Sequence, residues 1–160
     1  MLRAALDADA AGIIAVVERS FQDYPGCVLD VDREEPRLLT PATSHDAFWV
    51  LVERGRVAGT CAAMLHADHE PPHLELKTVY LDHHLRGRGL GRKLVECAER
   101  LALESGLGRV ELWSDSRFED GHRAYAAMGY AASGATRELH DLSATVELHF
   151  AKELDVASRQ

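Results

Sequence analysis

The chain has 160 residues, of which 46% are hydrophobic and 28% charged, and its formal net charge at pH 7 is −8. This length predicts a single domain over residues 1–160 with a sizeable buried core. The net negative charge argues against a protein that presents a broad basic face to nucleic acid or to an anionic membrane, so neither is an expected partner.

The first residues and the cysteines indicate a compartment. The stretch MLRAALDADAAGII carries two early acids and does not resemble a signal peptide, and no apolar run approaches the ~20 residues of a membrane span. The three cysteines, Cys27, Cys61 and Cys97, are an odd number, which argues for a reducing compartment without a disulfide framework. We therefore expect a cytoplasmic protein in which Cys61 and Cys97 are small core residues.

The first half of the chain predicts a strand, a helix, a long loop and a hairpin. Residues 2–5 form the strand, and Asp7 or Asp9 caps a helix whose apolar residues repeat at helical spacing. These residues are Ile13, Ile14, Val17 and Phe21. Residues 27–44 are predicted as the loop, and the hairpin joins strands at 47–53 and 57–65 through a turn of Arg54, Gly55 and Arg56.

The second half predicts alternating strands and helices. A strand at 73–81 precedes a helix at 89–104, which has an apolar stripe of Leu90, Leu94, Cys97 and Leu101. A short strand at 110–113 leads into a helix that contains Tyr125 and ends at Gly129, and closing strands are predicted at 130–132 and 145–150. This order predicts a mixed α/β domain in which a central strand is followed by a glycine turn and a helix.

That turn has the sequence LRGRGLGRK over residues 85–93, with glycines and arginines at alternate positions. A helix N-terminus leaves backbone N–H groups unpaired and carries a partial positive charge, and glycines let a ligand approach the backbone closely. Together with the arginines, these features predict a cradle for a phosphate group. The spacing matches neither the G-x-x-x-x-G-K-[ST] loop of nucleotide hydrolases nor the G-x-G-x-x-G turn of dinucleotide-binding folds.

Two motifs resemble those of one family. The segment LKTVYLDHHLRGRGLGRKLVE is similar to the acetyl-coenzyme A (acetyl-CoA) binding motif of the GCN5-related N-acetyltransferase (GNAT) family, with Arg86, Gly89 and Gly91 at the motif positions. Downstream, HRAYAAMGY resembles the closing motif of the family, in which a helix tyrosine, here Tyr125, precedes an apolar-glycine-aromatic end. The resemblance implies the GNAT fold, an α/β domain whose central mixed, mostly antiparallel sheet of six to seven strands is flanked by about four helices.

The resemblance also implies acetyl-CoA as the cofactor and assigns residues to it. Backbone groups of Val79, Tyr80 and Leu81 are expected to pair with the pantetheine arm. The pyrophosphate is expected at the turn, which contributes Arg86, Gly87, Arg88, Gly89, Leu90, Gly91 and Arg92. The family strand carries a bulge at this point that opens a slot for the arm, and the sequence alone does not show it.

Acetyl transfer to an amine requires that the amine lose a proton and that the departing thiolate gain one. By resemblance, Tyr125 protonates the sulfur. Glu75 stands eleven residues before Arg86, where many family members place a carboxylate as the base, acting directly or through a water chain. The alternative for Glu75 is a surface glutamate paired with Lys77, which lies on the same face of the strand.

The segment WSDSRFEDGH departs from the family pattern, because Phe118 stands where many relatives have an asparagine. In one interpretation Asp115 and Arg117 bind substrate, Asp115 an ammonium and Arg117 a carboxylate or phosphate. In the other they form a local ion pair. His122 lies on the same side of its helix as Tyr125, which makes it a further substrate-site candidate and an alternative base.

One histidine group invites a metal-site interpretation. The spacing of His66, His69 and His73 resembles that of metal ligands, but no convincing fourth ligand accompanies them, and we interpret the segment as a solvated loop. No metal site is predicted.

These features predict an acetyl-CoA-dependent N-acetyltransferase that moves the acetyl group to a primary amine of a small molecule by direct transfer in a ternary complex. One alternative is a non-catalytic acyl-CoA-binding module. Another is a protein or N-terminal acetyltransferase, which needs an open groove that the long loop over residues 27–44 disfavours. A homodimer formed through the last strands is implied by the resemblance alone.

Overall fold

The structure is a computed structural model that describes residues 1–156, and in that range the chain forms seven strands and five α-helices. In chain order they are β1 (Leu2–Ala4), α1 (Ala10–Phe21), α2 (Val31–Glu34), α3 (Pro41–Ser44), β2 (Ala47–Glu53), β3 (Arg56–His66), β4 (His73–Leu81), α4 (Leu90–Glu104), β5 (Arg109–Asp115), α5 (Glu119–Ala127), β6 (Ala131–Glu138) and β7 (Val146–Glu153). Short 3₁₀ turns occupy Asp7–Asp9, Pro36–Leu39 and His83–Leu85.

The described strands form one sheet in the order β1-β2-β3-β4-β5-β7-β6. Neighbouring strands run antiparallel except for β4 and β5, which are parallel. A parallel pair needs a crossover connection, and α4 supplies it by carrying the chain from the end of β4 to the start of β5. The predicted fold class, a mixed and mostly antiparallel sheet with helices on its faces, is confirmed.

Two apolar clusters fix the helices to the sheet. On one face, Ile13 and Val17 of α1 pack with Phe48 and Val50 of β2. On the other face, the buried residues of α4, which include Leu94, pack against β3, β4 and β5. Burying an aliphatic side chain of this kind contributes about 1.5–3 kcal/mol, so each helix is held chiefly by its apolar face.

The cap predicted for α1 was wrong. Asp9 stands at the N-cap but its side chain makes no capping bond; it accepts from the Arg3 guanidinium at 2.8 and 3.0 Å and from the Leu6 amide instead. Asp7 accepts from the amides of Ala42 and Thr43, so it ties the start of α3 to the N-terminal segment. Both carboxylates therefore make tertiary contacts that local spacing does not predict.

Three other details differ from the sequence predictions. The segment over residues 27–44, predicted as a long loop that could contain a helical turn, holds three short helical turns. Strand β6 is longer than predicted, at eight residues, and because every residue of this edge strand is exposed, the sequence carries no buried alternation that would reveal its length. Cys97 is partly exposed, since α4 buries Val95, Ala98 and Ala102 beside Leu94, whereas Cys61 is fully buried as predicted.

Strand β4 contains the irregularity that shapes the site. Thr60 pairs with Tyr80 and Ala62 with Lys77, so one residue of β3 faces two residues of β4. Thr78 in this bulge has a positive φ of 52°, and its carbonyl accepts a hydrogen bond from the Thr60 hydroxyl at 2.7 Å. A β-bulge bends its strand and increases the local twist, so the second half of β4 turns away from β5.

Candidate active site

The site begins as a gap between the two parallel strands. β5 pairs with β4 only at residues 74–76, although β4 continues to Leu81. Over residues 77–81, the edge of β4 that faces β5 therefore has no strand partner within the described chain. Unpaired backbone N–H and C=O groups are a template for an extended ligand. The slot implied by the resemblance to the GNAT family is thus present beside Val79, Tyr80 and Leu81.

The glycine turn at the end of this gap is a cluster of free amide groups. Arg86 N–H donates to His83 O and Lys93 N–H donates to Gly89 O. Among residues 1–156, none of the six N–H groups from Gly87 to Arg92 donates to a protein acceptor. Six unpaired donors at the start of a fifteen-residue helix make an anion-binding site of the kind that holds phosphates.

Glycine is needed at the three positions of the turn for different physical reasons. Gly87 and Gly89 have φ of 79° and 74°, a conformation that costs other residues roughly 1 kcal/mol or more. Gly91 has no such φ, and a Cβ atom there would meet nothing within 4 Å. Neither backbone conformation nor packing within the chain explains Gly91. A ligand that comes close to the helix start does explain it, so the residues present fit the pyrophosphate of acetyl-CoA.

The three arginines of the turn are not equivalent. Arg86 donates from Nε to Leu81 O at 3.0 Å, which closes the turn, and Arg92 donates from Nη2 to Ala127 O at 3.1 Å, which ties α4 to the end of α5. Arg88 is exposed and its guanidinium makes no hydrogen bond or ion pair within the described residues. The predicted contacts of all three with pyrophosphate stay predictions, and Arg88 has the most freedom to make one.

Tyr125 is the buried tyrosine of α5, and it stays protonated at neutral pH. It is 9% exposed, and its ring contacts those of Tyr130 and Phe150, with centroids 5.9 and 6.1 Å away. Burial, followed by the nearby Cys61, raises the pKa of its phenol far above the ordinary value of 10.0. Within residues 1–156 its hydroxyl has no hydrogen-bond partner. No fully buried side-chain polar atom lacks a partner, so this hydroxyl is not completely enclosed by protein. The hydroxyl is therefore a proton donor that is free to reach a ligand atom.

Glu75, the predicted base, is held mainly by a residue other than the predicted one. Its Oε1 atom lies 2.9 Å from Nε2 of His66, whereas Lys77 Nζ lies 3.9 Å from Oε2, beyond hydrogen-bonding distance. The lysine contact that the sequence suggested is thus the weaker of the two. Sequence reasoning missed His66 because it judged the histidine spacing only as a metal pattern, although β3 and β4 bring His66 beside Glu75.

Asp115 and Arg117 form an ion pair at the end of β5. Arg117 donates from Nε and Nη2 to the two carboxylate oxygens of Asp115 at 2.9 and 2.7 Å, and its own amide also donates to Oδ1. Cys27 Sγ lies 3.8 Å from Oδ2. The local ion pair, one of the two interpretations of this segment, is therefore present. A role for either residue in binding substrate stays a prediction.

Phe118 occupies the centre of an aromatic cluster. Its ring lies 4.7 Å from that of Tyr24, 6.1 Å from Phe21 and 6.3 Å from Tyr80, centroid to centroid. The cluster joins the end of α1, the second half of β4 and the start of α5. His122, the remaining candidate, bonds the Ser114 hydroxyl at 3.1 Å and packs on Phe150, away from this cluster.

Tyr80 lies on the free part of β4, and its phenol is influenced by nearby carboxylates. Burial raises the pKa of its phenol strongly, and negative charge from Tyr125, Glu35 and Asp115 adds to the effect. Glu35 follows α2 and was not singled out from the sequence. By surface area it is exposed, yet enough protein surrounds its carboxyl group for burial to raise its pKa, against the opposing charge of Lys77. Nothing local in the sequence places Glu35 here, since a long segment separates it from β4.

A cavity of about 540 Å³ lies next to this site. It is enclosed by the end of α1, the β2–β3 hairpin and the turn before α4, and its lining includes Arg19, Arg54, Arg56 and Arg86. It reaches the glycine turn at Arg86 but includes neither Glu75 nor Tyr125. Glu75 and Tyr125, the two residues predicted to be catalytic, therefore lie outside this cavity.

The described residues offer neither a cluster of metal ligands nor a membrane-spanning helix. Between residues 1 and 156, no group of three or more His, Cys, Asp or Glu is arranged to hold a metal ion. No helix in the same range is long and apolar enough to cross a membrane.

A parallel strand pair that opens beside a helix start with free amides is the architecture of an acyl-coenzyme A-binding fold. Comparison with known families agrees, because the model of the family described as "Acetyltransferase (GNAT) family" matches residues 14–130. That match covers well over half of the chain, so the chain belongs to the GNAT acetyltransferase family, whose cofactor is acetyl-CoA. The family resemblance read from the two motifs is confirmed.

Two curated relatives share part of the chain. N-acetylaspartate synthetase of Danio rerio is 26% identical over 115 residues, which is 72% of this chain and 40% of that protein. Mycothiol acetyltransferase of Nocardia farcinica is 36% identical over 76 residues, which is 48% of this chain and 25% of that protein. The chain thus spans less than half the length of either relative.

Solved structures share the fold over nearly the whole chain. A GNAT-family acetyltransferase of Staphylococcus aureus superposes with a TM-score of 0.80 at 15% identity, over 97% of this chain and 99% of that one. The yncA protein of Salmonella typhimurium, solved with its cofactor acetyl-CoA, gives a TM-score of 0.71 at 19% identity over 97% and 94%. At these identities the likeness concerns the fold alone.

Proposed function

We propose that this chain transfers the acetyl group of acetyl-CoA to a primary amine of a small molecule, directly and within a ternary complex. The observation that carries the proposal is the unpartnered, protonated hydroxyl of Tyr125 on α5, in a chain whose β4 and β5 diverge and whose glycine turn offers six unpaired amides.

Acetyl-CoA supplies the acetyl group as a thioester, which is activated for attack by an amine. The free edge of β4 at Val79, Tyr80 and Leu81 pairs with the pantetheine arm, and the amides of residues 87–92 hold the pyrophosphate. Glu75 accepts the proton that the acceptor ammonium must lose, directly or through water. Tyr125 gives its proton to the departing sulfur, so the bond to sulfur breaks without leaving an unstabilised thiolate.

Two observations support a small acceptor. The Val28 amide donates to the Ser143 hydroxyl at 2.8 Å, and the Leu142 amide donates to Glu34 at 3.0 Å. These bonds join the segment before α3 to the β6–β7 loop, which narrows the side where a protein acceptor would need an open groove. The names of the two curated relatives also refer to small molecules, N-acetylaspartate and mycothiol.

The carboxyl group of Glu35 supports a cationic acceptor. It has no hydrogen bond or ion pair within the described residues, and partial burial raises its pKa. A positively charged ammonium placed beside it would offset the cost of burying the carboxylate. The acceptor proposed here is therefore an amine that arrives charged and is deprotonated at the site.

The test of the proposal is Tyr125→Phe. We expect kcat for acetyl transfer to fall by about 100-fold, the lower end of what general acid catalysis contributes, while the affinity for acetyl-CoA stays within twofold. Free thiol release and product mass are measured across a panel of small primary amines, and acetyl-CoA binding is measured by calorimetry.

Tyr130→Phe is the matched control, because the Tyr130 hydroxyl is already bonded to Glu99 at 2.9 Å and its loss should not change turnover. If the wild-type protein binds acetyl-CoA but releases no thiol with any amine, the non-catalytic alternative is correct. If Tyr125→Phe lowers only acetyl-CoA affinity, the acid role of Tyr125 is wrong.

A further inference from the structure

We infer that His66 is a positioning residue for Glu75: its ring holds one oxygen of the carboxylate and leaves the other oxygen open to the acceptor amine. The inference rests on the proposed function, in which Glu75 takes the proton from the amine.

The contact between the two side chains is short and partly buried. His66 Nε2 lies 2.9 Å from Glu75 Oε1, and the side chains are 24% and 18% exposed. A carboxylate only accepts hydrogen bonds, so the ring must carry its proton on Nε2 and donate it. A charge-assisted bond that is shielded from water restrains a side chain more firmly than an exposed one.

The two oxygens of Glu75 have different surroundings. Oε1 is taken by His66, while the nearest cation to Oε2 is the Lys77 ammonium at 3.9 Å, too far for a hydrogen bond. Oε2 therefore keeps a lone pair for a proton. Without His66 the carboxylate could rotate and close the gap to Lys77, and a close ion pair would then occupy the oxygen that the reaction needs.

The ring of His66 lies among other imidazole and carboxylate groups. Its ring lies 4.4 Å from that of His69 and 5.0 Å from that of His73, centroid to centroid. His73 Nδ1 lies 3.3 Å from Glu111, the residue that pairs in register with Glu75 on β5, and Glu111 also bonds His149 at 2.6 Å. The ring of His66 is thus packed within a polar group that spans β3, β4, β5 and β7.

The main experiment is a comparison of His66→Ala with His66→Gln. Gln places an amide N–H near the position of Nε2, so it can donate to Oε1 but cannot titrate or relay a proton. We expect His66→Ala to lower kcat/KM for the amine about tenfold while KM for acetyl-CoA stays unchanged. His66→Gln should stay within about threefold of wild type. If Gln is as damaging as Ala, holding the carboxylate is not what His66 does.

A second measurement asks whether His66 acts through Glu75. We expect His66→Ala to cost almost nothing in a Glu75→Gln background, because there is no longer a base to position. An equal loss in both backgrounds overturns the inference. Full activity of Glu75→Gln alone overturns the base assigned under the proposed function, which is a separate failure.

His69→Ala is the matched control, since His69 contacts the His66 ring but makes no bond to Glu75, and its activity should stay within twofold of wild type. Thermal unfolding of each variant shows whether it folds. If His66→Ala does not fold, His66→Asn replaces it, because its amide is polar yet too short to reach Oε1. Wild-type activity of that variant would also contradict the inference.

Discussion

The cofactor side and the acceptor side of this site are built in different ways. The proposed cofactor side is mainly backbone: the free edge of β4 over residues 77–81 and the unpaired N–H groups of six consecutive residues, Gly87 to Arg92. The proposed acceptor side consists of side chains from α1, β3, β4, β5 and the segment after α2, which meet only in the folded sheet. A backbone site depends on local conformation, whereas a side-chain site depends on how distant elements pack.

The segment WSDSRF shows how the acceptor side is assembled. Asp115 and Arg117 neutralise each other at the end of β5, and Phe118 fills the space between α1 and β4. The segment therefore builds the wall of the site more than it presents free charges to a ligand. Glu35, which sequence reasoning did not select, has no hydrogen bond or ion pair within the described residues, and burial raises the pKa of its carboxyl group.

The largest effect expected in this comparison is that of Phe118→Ala. Removing most of a half-buried ring that contacts three other aromatic rings should lower the free energy of unfolding by about 2 kcal/mol. The affinity for acetyl-CoA should change little, because the cofactor is expected to pair with the backbone of β4 and of the glycine turn, while the cluster involves only the ring of Tyr80. Urea denaturation and calorimetry measure the two quantities. A large loss of acetyl-CoA affinity in a folded variant would show that the two sides are coupled.

Two glycines of the cofactor side should differ by about 1 kcal/mol in the stability that the fold loses when each is replaced by alanine, which is a smaller effect. Gly89→Ala should destabilise the fold by roughly that amount because its φ is 74°. Gly91→Ala should leave stability unchanged or raise it slightly, since its Cβ meets open space and alanine favours a helix.

The same pair of variants also tests where the pyrophosphate of acetyl-CoA binds. Gly91→Ala should weaken acetyl-CoA binding by about tenfold, or ~1.4 kcal/mol, because the added methyl group occupies the space that the pyrophosphate approaches. Unchanged affinity of Gly91→Ala would place the pyrophosphate elsewhere. Chemical denaturation of each variant measures the backbone strain, and equilibrium binding of acetyl-CoA to the same samples measures whether the added methyl group blocks the pyrophosphate.

The smallest effect expected is that of pH on the acceptor-side loop. Burial alone would raise the pKa of Asp141, but hydrogen bonds from the amide and hydroxyl of Thr145, at 2.8 and 2.7 Å, outweigh it and hold the pKa below its ordinary value of 3.8. The folded state therefore binds this proton less readily than the unfolded state. The resulting stabilisation is complete above about pH 4 and is lost as the pH falls through the folded-state value.

Asp141→Asn should accordingly cost about 1 kcal/mol at pH 7 and less at pH 3, as measured by urea denaturation at both values. The cofactor side has no counterpart, because amide donors do not titrate in this range. A difference that stays constant between pH 7 and pH 3 would contradict the assignment of this effect to the carboxylate.

The sequence alone was sufficient for the order of the strands and for helices α1, α4 and α5, although not for the length of β6. Alternating and helical apolar patterns are local, and the glycine turn is a run of consecutive residues whose function follows from backbone conformation. The motif around Tyr125 likewise identified a tyrosine that the structure finds buried and free to donate a proton. The family was identified for the same reason, since its signature lies in continuous segments.

Tertiary structure decided what patterns in the chain do not encode. The bulge at Thr78 and the bond from His66 to Glu75 depend on the register of strands, and the raised pKa of Glu35 depends on the protein that surrounds it in the fold. The capping roles expected of Asp7 and Asp9 failed for this reason too, because stronger partners lay elsewhere in the fold. The sequence thus identified the family and the turn where the cofactor is expected, and the fold determined how the side chains of the proposed acceptor side are arranged, because contacts between distant side chains exist only after the sheet has formed.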